Sequence, residues 1–209
     1  MVWFVTKIVR AKHKISRRYG QNLWGSAKSS VLRKNYRPGQ HGPVLPQKNS
    51  DYGNQLKAKQ MLKGYYGRIN ERQFSNYYKK AIKMKGNSAD NLVGLLERRL
   101  DAVVYRMNLA STIFAARQLV SHKHILVNGK KVNVPSYLVK AGDVIEIASS
   151  YKENVKVMES VQKMERDVPE YIDFDPKEMK ATFKYAPTFQ DIPYACKMEP
   201  HLVIEYYSS

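Results

Sequence analysis

One cysteine, Cys196, stands in the 209 residues. It excludes an internal disulfide and leaves no zinc cluster built from cysteines. The five histidines, His13, His41, His122, His124 and His201, form neither a His-x-Glu nor a His-Glu-x-x-His pattern. Ser121 and His122 are neighbours in the chain, but adjacency is not triad geometry. The sequence has no phosphate-loop motif and no glycine-rich dinucleotide fingerprint, and its acidic residues before the tail are too sparse for a paired-carboxylate site. No apolar run approaches the ~20 residues that cross a bilayer. These absences predict no catalytic site, cofactor or membrane span. One further gap is positional: no acidic residue precedes Asp51.

What is present is positive charge, unevenly placed. The formal net charge is +18. Through Arg99 there are 22 Lys and Arg against 4 Asp and Glu, and from Leu100 onward 14 against 14. Residues 143–209 alone hold 8 against 13. Solubility does not require such segregation, whereas a polyanion lying against one half does. Nucleic acid is the expected polyanion. An anionic membrane surface is the lesser option, because the basic segments lack the Trp/Phe/Leu face of an interfacial helix.

Residues 1–50 read as a basic, extended region with weak apolar periodicity, carrying Lys7, Arg10, Lys12, Lys14, Arg17 and Arg18. Such a segment orders on an RNA surface more readily than alone. An organelle transit peptide shares this composition, but the basic character runs on without a junction to Arg37. Pro38-Gly39-Gln40-His41-Gly42-Pro43 is a turn cluster. Ser50 or Asp51 caps a predicted helix with Leu56, Met61, Leu62 and Tyr65 on its apolar face and Lys57, Lys59 and Lys63 outside. Another helix is predicted from Glu71 to Met84. Its stripe of Phe74, Tyr77, Tyr78, Ala81 and Ile82 reads as core before it reads as a base-stacking platform. The lysines beside it, Lys79, Lys80, Lys83 and Lys85, lack acidic neighbours and so suit phosphate.

From Asn91 to Ile147 the pattern is denser. Leu92, Leu96, Leu100, Val103, Val104 and Met107 recur at helical spacing and predict one amphipathic helix. Thr112 caps a second, shorter helix with Phe114, Ala115, Leu119 and Val120 on its apolar side. Ile125-Leu126-Val127 and Lys130-Lys131-Val132 flank Asn128-Gly129, the strongest local signal for a two-residue hairpin turn, since both positions need positive φ. Val144–Ile147 is a third strand. Two helices and a basic hairpin suit a phosphate backbone, although a small α+β core with solvated lysines has the same pattern. Beyond Ile147, Val157, Met158, Val161 and Met164 predict a helix and Tyr171–Asp175 a strand, and the apolar end at Leu202–Tyr207 packs internally or meets a protein.

Leu96-Glu97-Arg98-Arg99-Leu100-Asp101, Ala116–Lys123 and Val127-Asn128-Gly129 resemble the RNA-binding module named after small-subunit ribosomal protein four, which some tRNA synthetases and RNA-modifying enzymes also carry. Pro38–Gly42, Ser50–Gly53 with Gln55-Leu56, Lys59-Gln60, Glu71–Phe74 with Tyr77-Tyr78, Lys85–Asn87, Val103–Met107 and His201–Glu205 with Tyr207-Ser208 extend the resemblance to the bacterial-type small-subunit ribosomal protein four family over nearly the whole chain. The match is weakest between Tyr151 and Cys196. Some members carry a four-cysteine zinc site near the N-terminus, which this sequence does not.

The resemblance implies an α+β fold: a helical N-terminal domain, then the module of two short helices and a β-hairpin on a small antiparallel sheet. The expected divisions are 1–50 for the basic region, 51–90 for the helical domain with 176–209 packing on it, and 91–175 for the α/β domain with its module at 97–147. It implies a non-enzymatic, cofactor-free constituent of the small subunit that binds its ribosomal RNA early and nucleates the five-prime domain. It implies a place near the messenger RNA entry channel beside small-subunit proteins three and five, with an influence on decoding accuracy. The setting is a bacterial cytoplasm or the matrix of an organelle with bacterial-type ribosomes. By motif, the implied RNA contacts are Gln40, His41, Tyr52, Lys59, Arg72, Lys85, Arg98, Arg99, Arg117, Gln118, Ser121, His122, Lys123 and Asn128. The charge runs add Arg10, Lys12, Arg17, Arg18, Arg37, Lys57, Lys130 and Lys131, and Glu205, Tyr206 and Tyr207 are the expected protein-facing group. An RNA-modifying enzyme such as a pseudouridine synthase needs a catalytic domain for which the residues after Ile147 leave too little room. A heat-shock-type binder with the same module is shorter and does not explain the first half.

Overall fold

A computed structural model describes residues 13–43 and 50–208. Its helices are α1 (Lys14–Tyr19), α2 (Asp51–Tyr65), α3 (Glu71–Ala81), α4 (Ser88–Glu97), α5 (Leu100–Arg106), α6 (Ile113–Ser121), α7 (Val155–Lys163) and α8 (Pro200–Ser208). Its strands are β1 (Ile125–Val127), β2 (Lys130–Val132), β3 (Val144–Ile147), β4 (Ile172–Asp175) and β5 (Lys180–Phe183). The fold is α+β, with one antiparallel sheet in the order β2-β1-β3-β5-β4.

Local chemistry sets most helix starts. The side chains of Ser50, Asn70, Asn87, Thr112 and Asn154 each accept a backbone N–H in the first turn of α2, α3, α4, α6 and α7. Asn128 and Gly129 have φ of 50° and 75°, and Val127 pairs with Lys130 across the turn, so the hairpin has the expected register.

The structure departs from the expected elements in four places. The long helix over Leu92–Met107 is two helices. Arg98 ends α4, and Arg99 turns extended at φ −66°, ψ 136° before α5 begins. Carbonyls of the 135–139 segment take the freed donors: Leu100 N–H reaches Tyr137 O at 2.9 Å and Asp101 N–H reaches Pro135 O at 3.1 Å. Periodicity did not reveal this break, because α4 and α5 face the same core. Next, β5 has no counterpart in the sequence reading. It joins β4 to β3, so the sheet runs to Phe183. In the leader, residues 13–43 are not simply extended. α1 lies on α2, Leu23 is fully buried, and the Trp24 indole donates to Tyr65 O at 3.1 Å. Gly64 sits where α2 meets Ile15, and a Cβ there would collide with the isoleucine side chain. Finally, Lys59 and Lys63 are not on an outer face of α2: both are buried.

One apolar core runs from α2 and α3 through α4–α6 to the sheet. Phe74, Tyr77 and Ala81 are part of it, so the aromatic stripe is core, while Ile82 is exposed. The C-terminal helix α8 packs on α2 and α4, and returns the chain's end to its first half.

Candidate nucleic-acid interface

The end of α6 and the β1–β2 turn form an exposed polar rim. Gln118, Ser121, His122, Lys123, Lys130 and Lys131 all lie at the surface. Lys123 adopts a left-handed conformation, φ 63°, and its N–H caps Val120 O at 2.9 Å. That turn brings His124 back over Tyr151, the rings stacked at 3.7 Å. Burial and the nearby His122 and Lys131 charges push the His124 pKa down. Asn128 is exposed, but its side chain is engaged: Nδ2 donates to Asp143 Oδ1 and Oδ1 accepts Val144 N–H, both at 2.9 Å. It shapes the turn that presents the lysines.

The motif Leu96–Asp101 divides by side. Glu97 is fully buried, with Arg106 donating Nη2 to Oε1 at 2.7 Å and Nε to Oε2 at 3.1 Å. The hydroxyls of Tyr66 and Tyr171 complete its shell at 2.6 and 2.8 Å. Burial alone would raise the Glu97 carboxyl pKa; Arg106 and these hydroxyls overcome it and hold it below the usual range. Arg99, expected at the RNA, is instead fully buried. Its guanidinium binds Asp101 at 3.0 and 2.6 Å and reaches the Tyr77 hydroxyl at 3.1 Å. The extended turn at Arg99 directs its side chain between α3 and α5, where it meets Tyr77 and Asp101. Arg98 is half-buried and donates Nε to Val139 O at 2.9 Å. Arg117 is one-third exposed. It bridges Asp101 at 3.3 Å and Gly67 O at 3.0 Å, tying α6 to the end of α2.

In the first half, Arg18, Arg37, Gln40, His41, Tyr52, Arg72 and Lys85 are exposed, and Arg17 and Lys57 are half-buried. Arg17 organises the loop around it, donating to Tyr36 O and Arg37 O at 3.2 and 3.3 Å and covering the Tyr36 ring at 4.8 Å. Arg10 and Lys12 lie outside the described residues. Lys59, expected at RNA, is 4% exposed: its ammonium binds Glu71 at 3.0 Å and lies 3.9 Å from the centre of the Tyr206 ring.

The expected protein-facing group is partly turned inward. Tyr207 donates its hydroxyl to Glu71 and stacks on Tyr78 at 4.7 Å. Tyr206 meets the exposed Tyr52 hydroxyl at 3.4 Å. Glu205 is exposed and accepts from Gln55 at 3.4 Å. Sequence reasoning passed over Lys28, Tyr151 and Arg166, which face the same side of α6. Lys28 was visible within the basic leader; nothing in the sequence marked Tyr151 or Arg166. Cys196 is half-buried, with its thiol pushed up to about 11 by burial. Among the described residues no group of three or more His, Cys, Asp or Glu could hold a metal, and no helix is long and apolar enough to cross a membrane.

Comparison with known families divides the chain at the same motif. Residues 7–97 match the family described as Ribosomal protein S4/S9 N-terminal domain, and residues 98–145 match the S4 domain. Among curated relatives named small ribosomal subunit protein uS4, that of Gluconobacter oxydans is 57% identical over 204 residues, covering 98% of this chain and all of the relative. That of Granulibacter bethesdensis is 56% identical with the same coverage, and that of a Ruegeria species is 56% identical over 98% of this chain and 99% of its own length.

Proposed function

The chain belongs to the small ribosomal subunit protein uS4 family, structural ribosomal constituents and not enzymes, and from that premise we propose that it is a primary binder of small-subunit ribosomal RNA that nucleates the five-prime domain. One observation carries this reading most directly: the exposed rim of Ser121, His122, Lys123, Lys130 and Lys131 on a rigid α6–hairpin frame. The basic first half supplies a second contact surface. Arg18, Arg37, His41, Arg72 and Lys85 are exposed on it to meet phosphates or unpaired bases, and so is Tyr52, whose hydroxyl also meets that of Tyr206. The acidic C-terminal third, with Glu205 outward on α8, is the side offered to small-subunit proteins five and three. In this reading the chain sits near the messenger RNA entry channel and affects decoding accuracy through protein five, in a bacterial cytoplasm or an organelle matrix.

The test is binding to a five-prime-domain transcript across a salt series. Replacing Lys130 and Lys131 together by alanine is expected to weaken binding and to reduce the slope of log K against log salt by roughly 1.5, two phosphates' worth. A plain duplex should bind the unaltered protein more weakly than the folded junction. An unchanged slope, or equal affinity for duplex and junction, overturns the reading.

A further inference from the structure

A cleft of about 350 Å³ opens beside the module, between α6, the 108–111 segment and the stretch that leads into α7. Gln118 and His122 of the polar rim form one wall, so the cleft continues the face proposed to meet RNA. Lys28 reaches it from the leader, and Lys156 and Lys163 from α7. Glu159 and Glu165 also line it, so cations outnumber carboxylates without excluding them. The stacked His124 and Tyr151 rings, both half-exposed, contribute an aromatic surface.

We infer that this cleft receives a single nucleotide unstacked from the bound ribosomal RNA, its base continuing the His124–Tyr151 stack and its phosphates facing Lys28, Lys156 and Lys163. The inference rests on the RNA-binding reading above and adds the form of RNA recognised. The volume lies at the low end of small-ligand pockets and cannot admit a duplex. A-form grooves hide base edges, so sequence-specific RNA recognition falls on splayed bases stacked on Tyr, His or Arg. The flat His124 ring, stacked at 3.7 Å on Tyr151, extends the aromatic surface offered to a base. The cleft therefore selects an unpaired nucleotide next to a helix, the situation at a junction.

Binding to the five-prime-domain transcript and ultraviolet cross-linking with peptide mapping test it together. The unaltered protein should cross-link at Tyr151 or His124 to one unpaired nucleotide. Tyr151→Ala should lose that cross-link and bind roughly five- to hundredfold more weakly, while Tyr151→Phe should keep both. If Tyr151→Ala melts early, Lys156→Glu with Lys163→Glu, both on exposed positions of α7, should also abolish the cross-link. Failure of the unaltered protein to bind the transcript defeats the RNA reading itself. Normal binding with no cross-link in the cleft, or with Tyr151→Ala equal to the unaltered protein, defeats only the nucleotide pocket.

Discussion

Buried charge is the costly feature at the residue scale. Two charges taken from water cost several kcal/mol each, and pairing offsets this only when the geometry is good and the remaining hydrogen bonds are made. Glu97 with Arg106 and Arg99 with Asp101 both meet that condition, with two-point pairing and tyrosine hydroxyls on the remaining sites. Removing one member leaves its buried partner without its main counter-charge. Arg99→Met is expected to lower unfolding free energy by about 3–5 kcal/mol, read from urea denaturation, because Asp101 retains only the partly exposed Arg117. The affinity of the folded fraction for RNA should barely change. A variant of full stability with lost affinity would return Arg99 to the RNA-binding surface. Arg98, one position away, differs in its partner: it stays half-exposed, and its Nε donates to the backbone carbonyl of Val139 rather than to a carboxylate.

The turn between α6 and β1 decides what the module presents at the element scale. A non-glycine residue in the left-handed region costs roughly 1–2 kcal/mol, and Lys123 holds it at φ 63°. Glycine would accept the conformation freely but would add freedom to the unfolded chain. Lys123→Gly should therefore raise stability modestly, by about 0.5–1 kcal/mol, read as a higher melting temperature. RNA binding should weaken most at low salt, since one cation leaves the rim. Stability that rises while affinity stays unchanged at every salt concentration would remove Lys123 from the interface. The hairpin next to it was legible because Asn-Gly dictates its own turn. The break at Arg99 was not, because it depends on carbonyls of residues 135 and 137, some thirty-five positions away.

The C-terminus closes the whole molecule back on its first half. Glu71 gathers Lys59, Lys63 and Tyr207, and so joins α2, α3 and α8. Burial works to raise its carboxyl pKa, but hydrogen bonds from Lys63, Tyr207 and Lys59 prevail and bring it down to about 2. A depressed carboxyl contributes stability above its unfolded value, about 4.3, and loses it as pH falls towards the folded one. The docking of α8 should accordingly weaken between about pH 4.5 and 2, read from tyrosine near-ultraviolet circular dichroism. Glu71→Gln should remove that component of the acid transition and loosen α8 at neutral pH. An acid transition identical in the variant would show that Glu71 does not hold the helix. The side chain is about half exposed, so solvent screening keeps the effect modest.

The amino-acid order by itself determined the helix caps, the hairpin turn, the crowding of positive charge into the first half and the family motifs, because each is a property of neighbouring residues or of composition. Tertiary structure alone decided which charges are free to meet RNA. Glu97, Arg98, Arg99 and Asp101 read alike as a charged run, yet Arg98 is half-exposed and the other three are buried. Lys59 resembles any other surface lysine until α8 lays Tyr206 over it. Burial depends on which distant segment folds against a side chain, and a linear pattern does not carry that information.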